Sequence, residues 1–393
     1  MKIGLFGQFG SGNIGNDGSL EAMLQLLNRT CPSAQLVCIC SRPEIISAKF
    51  KLQAVPVGKP ASDNIILNTL NRALLQFPRR LIGFISAISL AHGVDLIIVP
   101  GTGILDDFNE DPFGWPFAVM RWSLAAKLGG ARMAFVSIGA GPVTHPLSRF
   151  FVKTASSLAA YRSYRDAVSY NFIKSLNVDM HQDHVSADIA FALYKPADER
   201  SKNTDPCIGL GIMTYRGWRK RELDSAVIYE NYLRKMTEVI EALLQGGRQV
   251  RLLTGDVGDF EAVNDLRKRI TTPNFHKVIF EPVNSLHDLM QQIAQTDMVI
   301  ASRYHNIVCS LSMERPAISI GYAHKNDALL IDTGLSEFCH HIESFDPDLI
   351  LSQVETMLAR RHEFINTVKA GVIRYREKLS LQEDDLRAKL LSK

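Results

Sequence analysis

Met1-Lys2-Ile3-Gly4-Leu5-Phe6-Gly7-Gln8-Phe9-Gly10-Ser11-Gly12-Asn13-Ile14-Gly15-Asn16-Asp17-Gly18 opens the chain. The apolar run Lys2–Phe6 has the length of a buried strand. The glycines that close it let the backbone turn into a helix, read here over Ser19–Asn28. Because the run passes straight into a glycine-rich loop, it reads as a first strand and not as a signal peptide. Gly10, Gly12 and Gly15 approach the GxGxxG spacing of a dinucleotide loop. No acidic residue ends a second strand about 20 residues on, where Cys38-Ile39-Cys40-Ser41-Arg42 stands instead, and there is no Walker lysine. A tight strand–helix turn and a ligand-cradling loop both remain open readings of this stretch.

Outward from the loop the same alternation continues. Gln35–Cys40, Leu96–Val99 and Met133–Ile138 are short runs rich in Val, Ile or Phe, closed by Gly, Pro or Ser, and read as buried strands. Arg79–Ala91 and Phe117–Leu128 read as the helices between them, and Ser156–Arg162 and Ala167–Leu176 bracket a further turn. The polar stretch Tyr194 to Pro206, with two prolines, reads as a linker. The alternation then restarts with strands at Cys207–Met213, Val250–Leu253, Met298–Ala301 and Ala317–Ile320. A helix over Ala226–Leu244 places Tyr229, Tyr232, Leu233, Met236, Ile240 and Leu243 on one face. Ser285, with Asp288 three residues on, is a helix-capping signal. The tail from Asp346 is charged and helical in pattern. The expected fold is α/β: two Rossmann-like domains facing a cleft, over residues 1–195 and 207–345, with a C-terminal helical segment over 346–393.

Composition narrows the function. A chain of 393 residues suggests two or three domains, and 46% apolar with 22% charged residues excludes disorder as a whole-chain description. Lysine and arginine number 44 against 41 acids, with no clustered excess, so no nucleic-acid partner is expected. The six cysteines are scattered and read as free thiols of a reducing compartment. The longest apolar stretch, Leu81 to Pro100, is broken by His92-Gly93 and Asp95, so no membrane span and a cytoplasmic location are expected.

Ligands of open parallel sheets bind beyond the carboxyl ends of the strands, so the turns there supply the candidates. They are Asn13 in the first loop; Asp106 and Asp107 after Pro100-Gly101-Thr102-Gly103; Gly139-Ala140-Gly141-Pro142 with His145; Arg165 with Asp166; and Arg216 after Thr214-Tyr215, near Arg219, Lys220 and Arg221. The most informative are Ser302-Arg303-Tyr304-His305 and Tyr322-Ala323-His324-Lys325. Arg303 and Lys325 are fixed cations suited to a carboxylate or phosphate, and His305 can exchange a proton near neutral pH.

At these residues the sequence resembles the polysaccharide pyruvyl transferase family. The resemblance runs through Gly12-Asn13-Ile14-Gly15-Asn16-Asp17, then Asp95 to Gly101-Thr102-Gly103 and Asp106. It continues through Arg165-Asp166 with Ser169, Asp188-Ile189-Ala190-Phe191, Ser302-Arg303-Tyr304-His305, Pro316 and Tyr322-Ala323-His324-Lys325. Asn16, Thr102, Tyr304 and Ala323 depart from the family pattern. The resemblance implies a fold similar to GT-B glycosyltransferases, phosphoenolpyruvate as donor, a sugar or lipid-linked glycan as acceptor, and a cyclic pyruvyl ketal as product, with no metal or organic cofactor. His305 and Lys325 are then the catalytic candidates, Arg303, Arg216 and Arg165 the donor-binding ones, and Asn13, Asp106 and Asp107 those for the acceptor. Transient association with a membrane surface stays open. The competing readings are a nucleotide-sugar glycosyltransferase and a non-catalytic carbohydrate-binding subunit.

Overall fold

The computed structural model describes residues 1–58, 77–107, 111–197, 205–217 and 222–391. Arg219, Lys220, Arg221 and residues 198–204 of the expected linker lie outside these. The chain divides into two compact units that interleave in sequence. The first comprises Met1–Ser11, Ser19–Ile189 and Lys378–Lys393, and the second Gly12–Gly18 and Ala190–Glu377.

In the first unit the strands are β1 (Lys2–Gly7), β2 (Gln35–Cys40), β3 (Gln53–Pro56), β4 (Leu96–Pro100), β5 (Arg132–Ile138), β6 (Tyr161–Tyr164) and β7 (His184–Val185). They pair in the order β3-β2-β1-β4-β5-β6-β7, every pair parallel. The central strands are apolar on both faces because helices cover both. The helices are α1 (Ile14–Thr30), whose residues up to Gly18 belong to the second unit, α2 (Pro43–Phe50), α3 (Phe77–His92), α4 (Trp115–Gly129), α5 (Pro146–Leu158) and α6 (Ala167–Ser175). Ala87 and Ala91 of α3 and Ala125 and Ala126 of α4 share one core with Phe6, Ile97, Val99 and Phe135 of the sheet. Small residues let these two helices approach; a Cβ on Gly129 would stand 2.8 Å from that of Ala91. Each large side chain fully buried here contributes roughly 1.5–3 kcal/mol.

Two features of the first unit differ from the sequence reading. Helix α1 begins at Ile14 rather than Ser19, because Asn13 caps it. Residues Ser156–Arg162 are divided between the end of α5 and the start of β6. The C-terminal residues fasten to this unit: Gln382 Nε2 donates to Ser137 Oγ at 2.9 Å, and Arg132 Nη2 donates to the Leu390 carbonyl at 2.8 Å.

In the second unit β8 (Cys207–Gly211), β9 (Gln249–Leu253), β10 (Val278–Phe280), β11 (Met298–Ala301), β12 (Ala317–Gly321) and β13 (Cys339–His341) form a second parallel sheet, ordered β10-β9-β8-β11-β12-β13. Its helices are α7 (Glu222–Gln245), α8 (Phe260–Arg269), α9 (Leu286–Ala294), α10 (Tyr304–Ser312), α11 (His324–Thr333), α12 (Pro347–Ala359) and α13 (Arg361–Leu386), the last running on past the unit's boundary. The expected face of α7 is buried throughout, from Tyr229 to Leu243. Ser285 Oγ accepts from the Asp288 N–H at 3.0 Å, and Asp288 Oδ2 accepts from Asn284 N–H at 3.0 Å, so the capping signal acts as read. All six cysteines are free. Among the described residues no helix is long and apolar enough to cross a membrane.

Candidate functional site

In both sheets the first strand sits between the second and the fourth. The chain therefore reverses its direction of travel across the sheet at β1/β4 and at β8/β11, the places where such sheets receive ligands. In the second unit, four turns gather at the carboxyl ends: residues 212–216 after β8, 254–259 after β9, 302–305 after β11 and 322–325 after β12.

The glycine loop adds a fifth segment. Ile14 N–H donates to the Gly255 carbonyl at 3.2 Å, Val257 N–H donates to the Gly12 carbonyl at 3.2 Å, and Asn13 forms a bridge with Asp256. Gly12 lies in the left-handed region (φ 102°), and a Cβ there would meet Val257 Cγ2 at 2.3 Å. A Cβ on Gly15 would stand 2.0 Å from His305 Nδ1. Close packing thus accounts for these two glycines: one lies against Val257 and the other against the imidazole. Asn13 Oδ1 accepts from Gly15 N–H at 3.0 Å and Asn16 N–H at 3.3 Å, which makes it the cap of α1.

Arg303, the residue before α10, makes a two-pronged ion pair with Asp259. Nε meets Oδ2 at 3.0 Å and Nη2 meets Oδ1 at 2.6 Å. Asp259 is fully buried and also accepts from Thr214 N–H and Gly255 N–H, each at 3.2 Å. One carboxylate therefore ties together the turns after β8, β9 and β11. Burial works against the Arg303 charge, and the adjacent Asp259 more than restores it, so its pKa lies above the ordinary value. Beneath this pair, Tyr232 Oη lies 3.4 Å from Ser302 Oγ and accepts from Met213 N–H at 3.3 Å. Burial pushes its phenol up to about 12.

His305 is half-buried in the first turn of α10, its ring perpendicular to that of Tyr304 at 5.3 Å. Lys325 Nζ lies 5.2 Å from the centre of the Tyr322 ring, which stacks on Tyr215 at 6.0 Å. Arg216 is exposed, pairs with Glu261 at 2.7 Å and lies over the Tyr229 ring at 4.4 Å. His324 is exposed beside Asp327, and exposed His145 caps α5 by accepting from Leu147 N–H.

Sequence reasoning missed Asp259 and gave no role to Asn306, which closes the stretch Ala301-Ser302-Arg303-Tyr304-His305-Asn306. Asp259 is 44 residues from Arg303 in sequence; its only local sign is the polar turn Asp256-Val257-Gly258-Asp259 after a strand. Asn306 is fully buried, and neither side-chain polar atom has a protein partner. It occupies the space beside two glycines: a Cβ on Gly211 would meet Nδ2 at 2.6 Å, and one on Gly255 would meet Oδ1 at 2.9 Å. Unpaired buried amides are uncommon in folded proteins and mark a place where a polar ligand is accommodated or strain is held.

The first unit holds the other candidates. Arg165 is buried between Asp166 (3.4 Å) and Asp188 (3.3 Å), alongside Gly139. Asp107 Oδ2 accepts from Thr144 N–H at 3.3 Å, and Asp106 beside it is buried. Asn13 belongs to the second unit, so the three acceptor candidates divide two to one between the units.

Comparison with known proteins shows the family and the fold. The model of the family described as polysaccharide pyruvyl transferase matches residues 13–324, most of the chain, and the chain belongs to that family. The amylovoran biosynthesis protein AmsJ of Erwinia amylovora is 26% identical over 153 residues, which are 37% of each chain, so this chain spans well under half of that relative. Among solved structures, UDP-GlcNAc 2-epimerase of Neisseria meningitidis, bound to UDP-GlcNAc, is similar at a TM-score of 0.61, 11% identity and full coverage of both chains. A putative UDP-N-acetylglucosamine 2-epimerase of Listeria monocytogenes has a TM-score of 0.62 at 9% identity, covering 94% and 91%. HepE of Anabaena, in complex with UDP-glucose, has a TM-score of 0.61 at 12% identity, covering 100% and 99%. These likenesses establish a fold of the GT-B kind, with two parallel-sheet α/β units.

Proposed function

We propose that this member of the polysaccharide pyruvyl transferase family moves the pyruvyl group of phosphoenolpyruvate onto two hydroxyls of a sugar in a glycan, forming a cyclic ketal and releasing phosphate. The observation that carries the reading is His305, packed against Gly15 and two residues beyond Arg303, at the carboxyl end of β11 where the second sheet reverses direction.

The donor carries a carboxylate and a phosphate, so it calls for cations and N–H donors. Asp259 engages Nε and Nη2 of Arg303; a guanidinium has five N–H groups, which leaves others for an anion. Lys325 supplies a second positive charge from the turn after β12. Arg216 and Arg165, each already beside carboxylates, are further donor-binding candidates. His305 protonates the enol carbon, which becomes the methyl group. One sugar hydroxyl adds to the resulting cationic carbon and returns its proton to His305; phosphate then leaves, and the second hydroxyl closes the ring, its proton passing to the departing phosphate. Lys325 and Arg303 stabilise the carboxylate and the departing phosphate. Asp106, Asp107 and Asn13 are the candidates for orienting the acceptor hydroxyls.

The test is incubation with carbon-13-labelled phosphoenolpyruvate and a panel of glycan acceptors, followed by mass and carbon NMR analysis. The reading expects one phosphate released per acceptor modified and a quaternary ketal carbon in the product. Transfer of a sugar from UDP-sugars with no use of phosphoenolpyruvate would replace it with the glycosyltransferase reading.

A further inference from the structure

A cavity lined by arginines and aromatic rings lies in the first unit, beside the carboxyl end of β3. It has a volume of about 280 Å³ and is lined by Val57, Gly58, Arg79, Arg80, Arg121 and the aromatic residues Phe113, Trp115 and Phe117. That size is close to the lower end of the roughly 300–1,000 Å³ of small-molecule sites.

Arg121 gives the cavity its character. The residue is only 8% exposed, yet among the described residues no carboxylate pairs with it. Nη2 donates to the Val57 carbonyl at 2.5 Å, an acceptor shared with Trp122 Nε1 at 2.8 Å, and Nε has no partner. Gly58 lies against the guanidinium: a Cβ there would be 3.6 Å from Nη2 and 3.9 Å from Nη1. Burial alone draws the Arg121 pKa below its ordinary value. A buried cation without a counter-charge is costly, and an anion beside it would offset that cost.

The surroundings reinforce the positive field. Arg80 lies over the Phe113 ring at 4.2 Å and the Phe117 ring at 5.8 Å, and it has no acidic partner among the described residues. The first turns of α3 and α4 both reach the cavity, and Gly114 leaves the start of α4 without a side-chain cap. Helix N-termini add partial positive charge and N–H donors. Leu81, Ile82 and Ile85, which follow Arg80 along α3, are 47%, 45% and 58% exposed, an apolar strip that starts where the helix leaves the cavity.

We infer that this cavity binds the phosphate or diphosphate of an amphiphilic ligand, with the guanidinium groups of Arg121 and Arg80 on the phosphate oxygens and the ligand's apolar chain along Leu81, Ile82 and Ile85. The site is separate from the residues assigned to the donor and does not depend on that assignment. Two sources share the phosphate chemistry: a free inorganic anion and a phosphate attached to an apolar chain. The apolar strip favours the second.

The test titrates the whole protein with inorganic pyrophosphate, octyl phosphate and octanol, reading melting temperature and tryptophan fluorescence, since Trp115 lines the cavity. Octyl phosphate should bind saturably and at least tenfold more tightly than pyrophosphate, and octanol should give no saturable response. Arg121→Met should melt at or above the wild-type temperature without ligand, because an uncompensated buried charge is gone, and should lose tenfold or more in octyl phosphate affinity. Arg80→Gln, at a half-buried position whose replacement leaves the core intact, should lose affinity in the same direction. Ile85→Ser should weaken octyl phosphate while leaving pyrophosphate unchanged. Wild-type binding in both Arg121→Met and Arg80→Gln, or no saturable phosphate binding by the wild type, overturns the inference. Pyrophosphate binding as tightly as octyl phosphate removes the apolar chain from it. Because phosphoenolpyruvate is absent throughout, these outcomes are independent of whether the chain is a pyruvyl transferase.

Discussion

The two sheets share one strand order, yet the points where they reverse direction are filled differently. At β1 in the first unit, the fully buried Phe9 ring lies over Gly7, so close that a Cβ on Gly7 would meet it at 2.4 Å. At β8 in the second unit, the equivalent space beside Gly211 holds the Asn306 amide, unpaired by protein groups, with Arg303 and His305 on the adjoining turn. One crevice is closed by an apolar ring and the other is lined by hydrogen-bonding groups and charge. Strand order says where such sheets receive ligands; the side chains of the turns decide which of two similar sheets offers an anion the more suitable groups. The arginines show the same contrast: Arg165 lies between two carboxylates, whereas Arg303 shares one with backbone N–H groups of two other turns.

The sharpest way to break the contrast is to neutralise the second crevice. His305→Gln keeps shape and some hydrogen bonding but removes the transferable proton. Turnover should fall by ~10²–10⁴-fold, the range for a general acid, with donor affinity and melting temperature near wild type. Near-normal turnover would move the acid role to another group. Asp259→Asn removes the fully buried carboxylate that holds the half-buried Arg303 guanidinium and should cost about 3 kcal/mol of stability, read by urea unfolding, while also weakening the donor. A change below about 1 kcal/mol would show that the three turns are held by other contacts.

Gly15→Ala separates the two jobs of the glycine loop. Alanine suits a helical position better than glycine by about 1 kcal/mol, but its methyl group would occupy the space of the His305 ring. Stability should change little, and turnover should fall by about 10²-fold through displacement of the imidazole. Unimpaired turnover would show that the ring need not lie against the loop. The smallest effect is expected at Arg216→Gln. Its pair with Glu261 is exposed on both sides, so stability should move by less than about 0.5 kcal/mol. Donor affinity should stay within about threefold; a larger loss would place Arg216 on the donor.

Much of this architecture was legible from residues alone. β1, β2, β4, β5, β8, β9, β11 and β12 are uniform apolar runs closed by turn residues, because helices cover both faces of the inner strands. β3, β7, β10 and β13 were not found: each is a sheet edge, spans two to four residues and is only partly buried, which removes the periodic signal. β6, an inner strand, was not read as one either, because Tyr161-Arg162-Ser163-Tyr164 has no aliphatic run. The short motif Ser302-Arg303-Tyr304-His305 was visible because it follows a buried strand directly. Its partner Asp259 was not, since the pairing exists only once β9 and β11 flank β8. The same holds for the glycine loop, whose contacts with Gly255, Val257 and His305 cross more than 200 residues of sequence and are made with the second unit. The sequence patterns mark what each turn is made of, and the topology decides which turns meet.

The central claim is that the second unit binds phosphoenolpyruvate, and ligand-dependent unfolding tests it most directly. The melting curve is measured with phosphoenolpyruvate, UDP-glucose and UDP, each raised to millimolar concentration. A ligand at a hundred times its dissociation constant stabilises the native state by about 2.7 kcal/mol. The account expects phosphoenolpyruvate to shift the curve on that scale and His305→Gln to retain most of the shift, with UDP and UDP-glucose doing much less. A shift with UDP or UDP-glucose and none with phosphoenolpyruvate would contradict it.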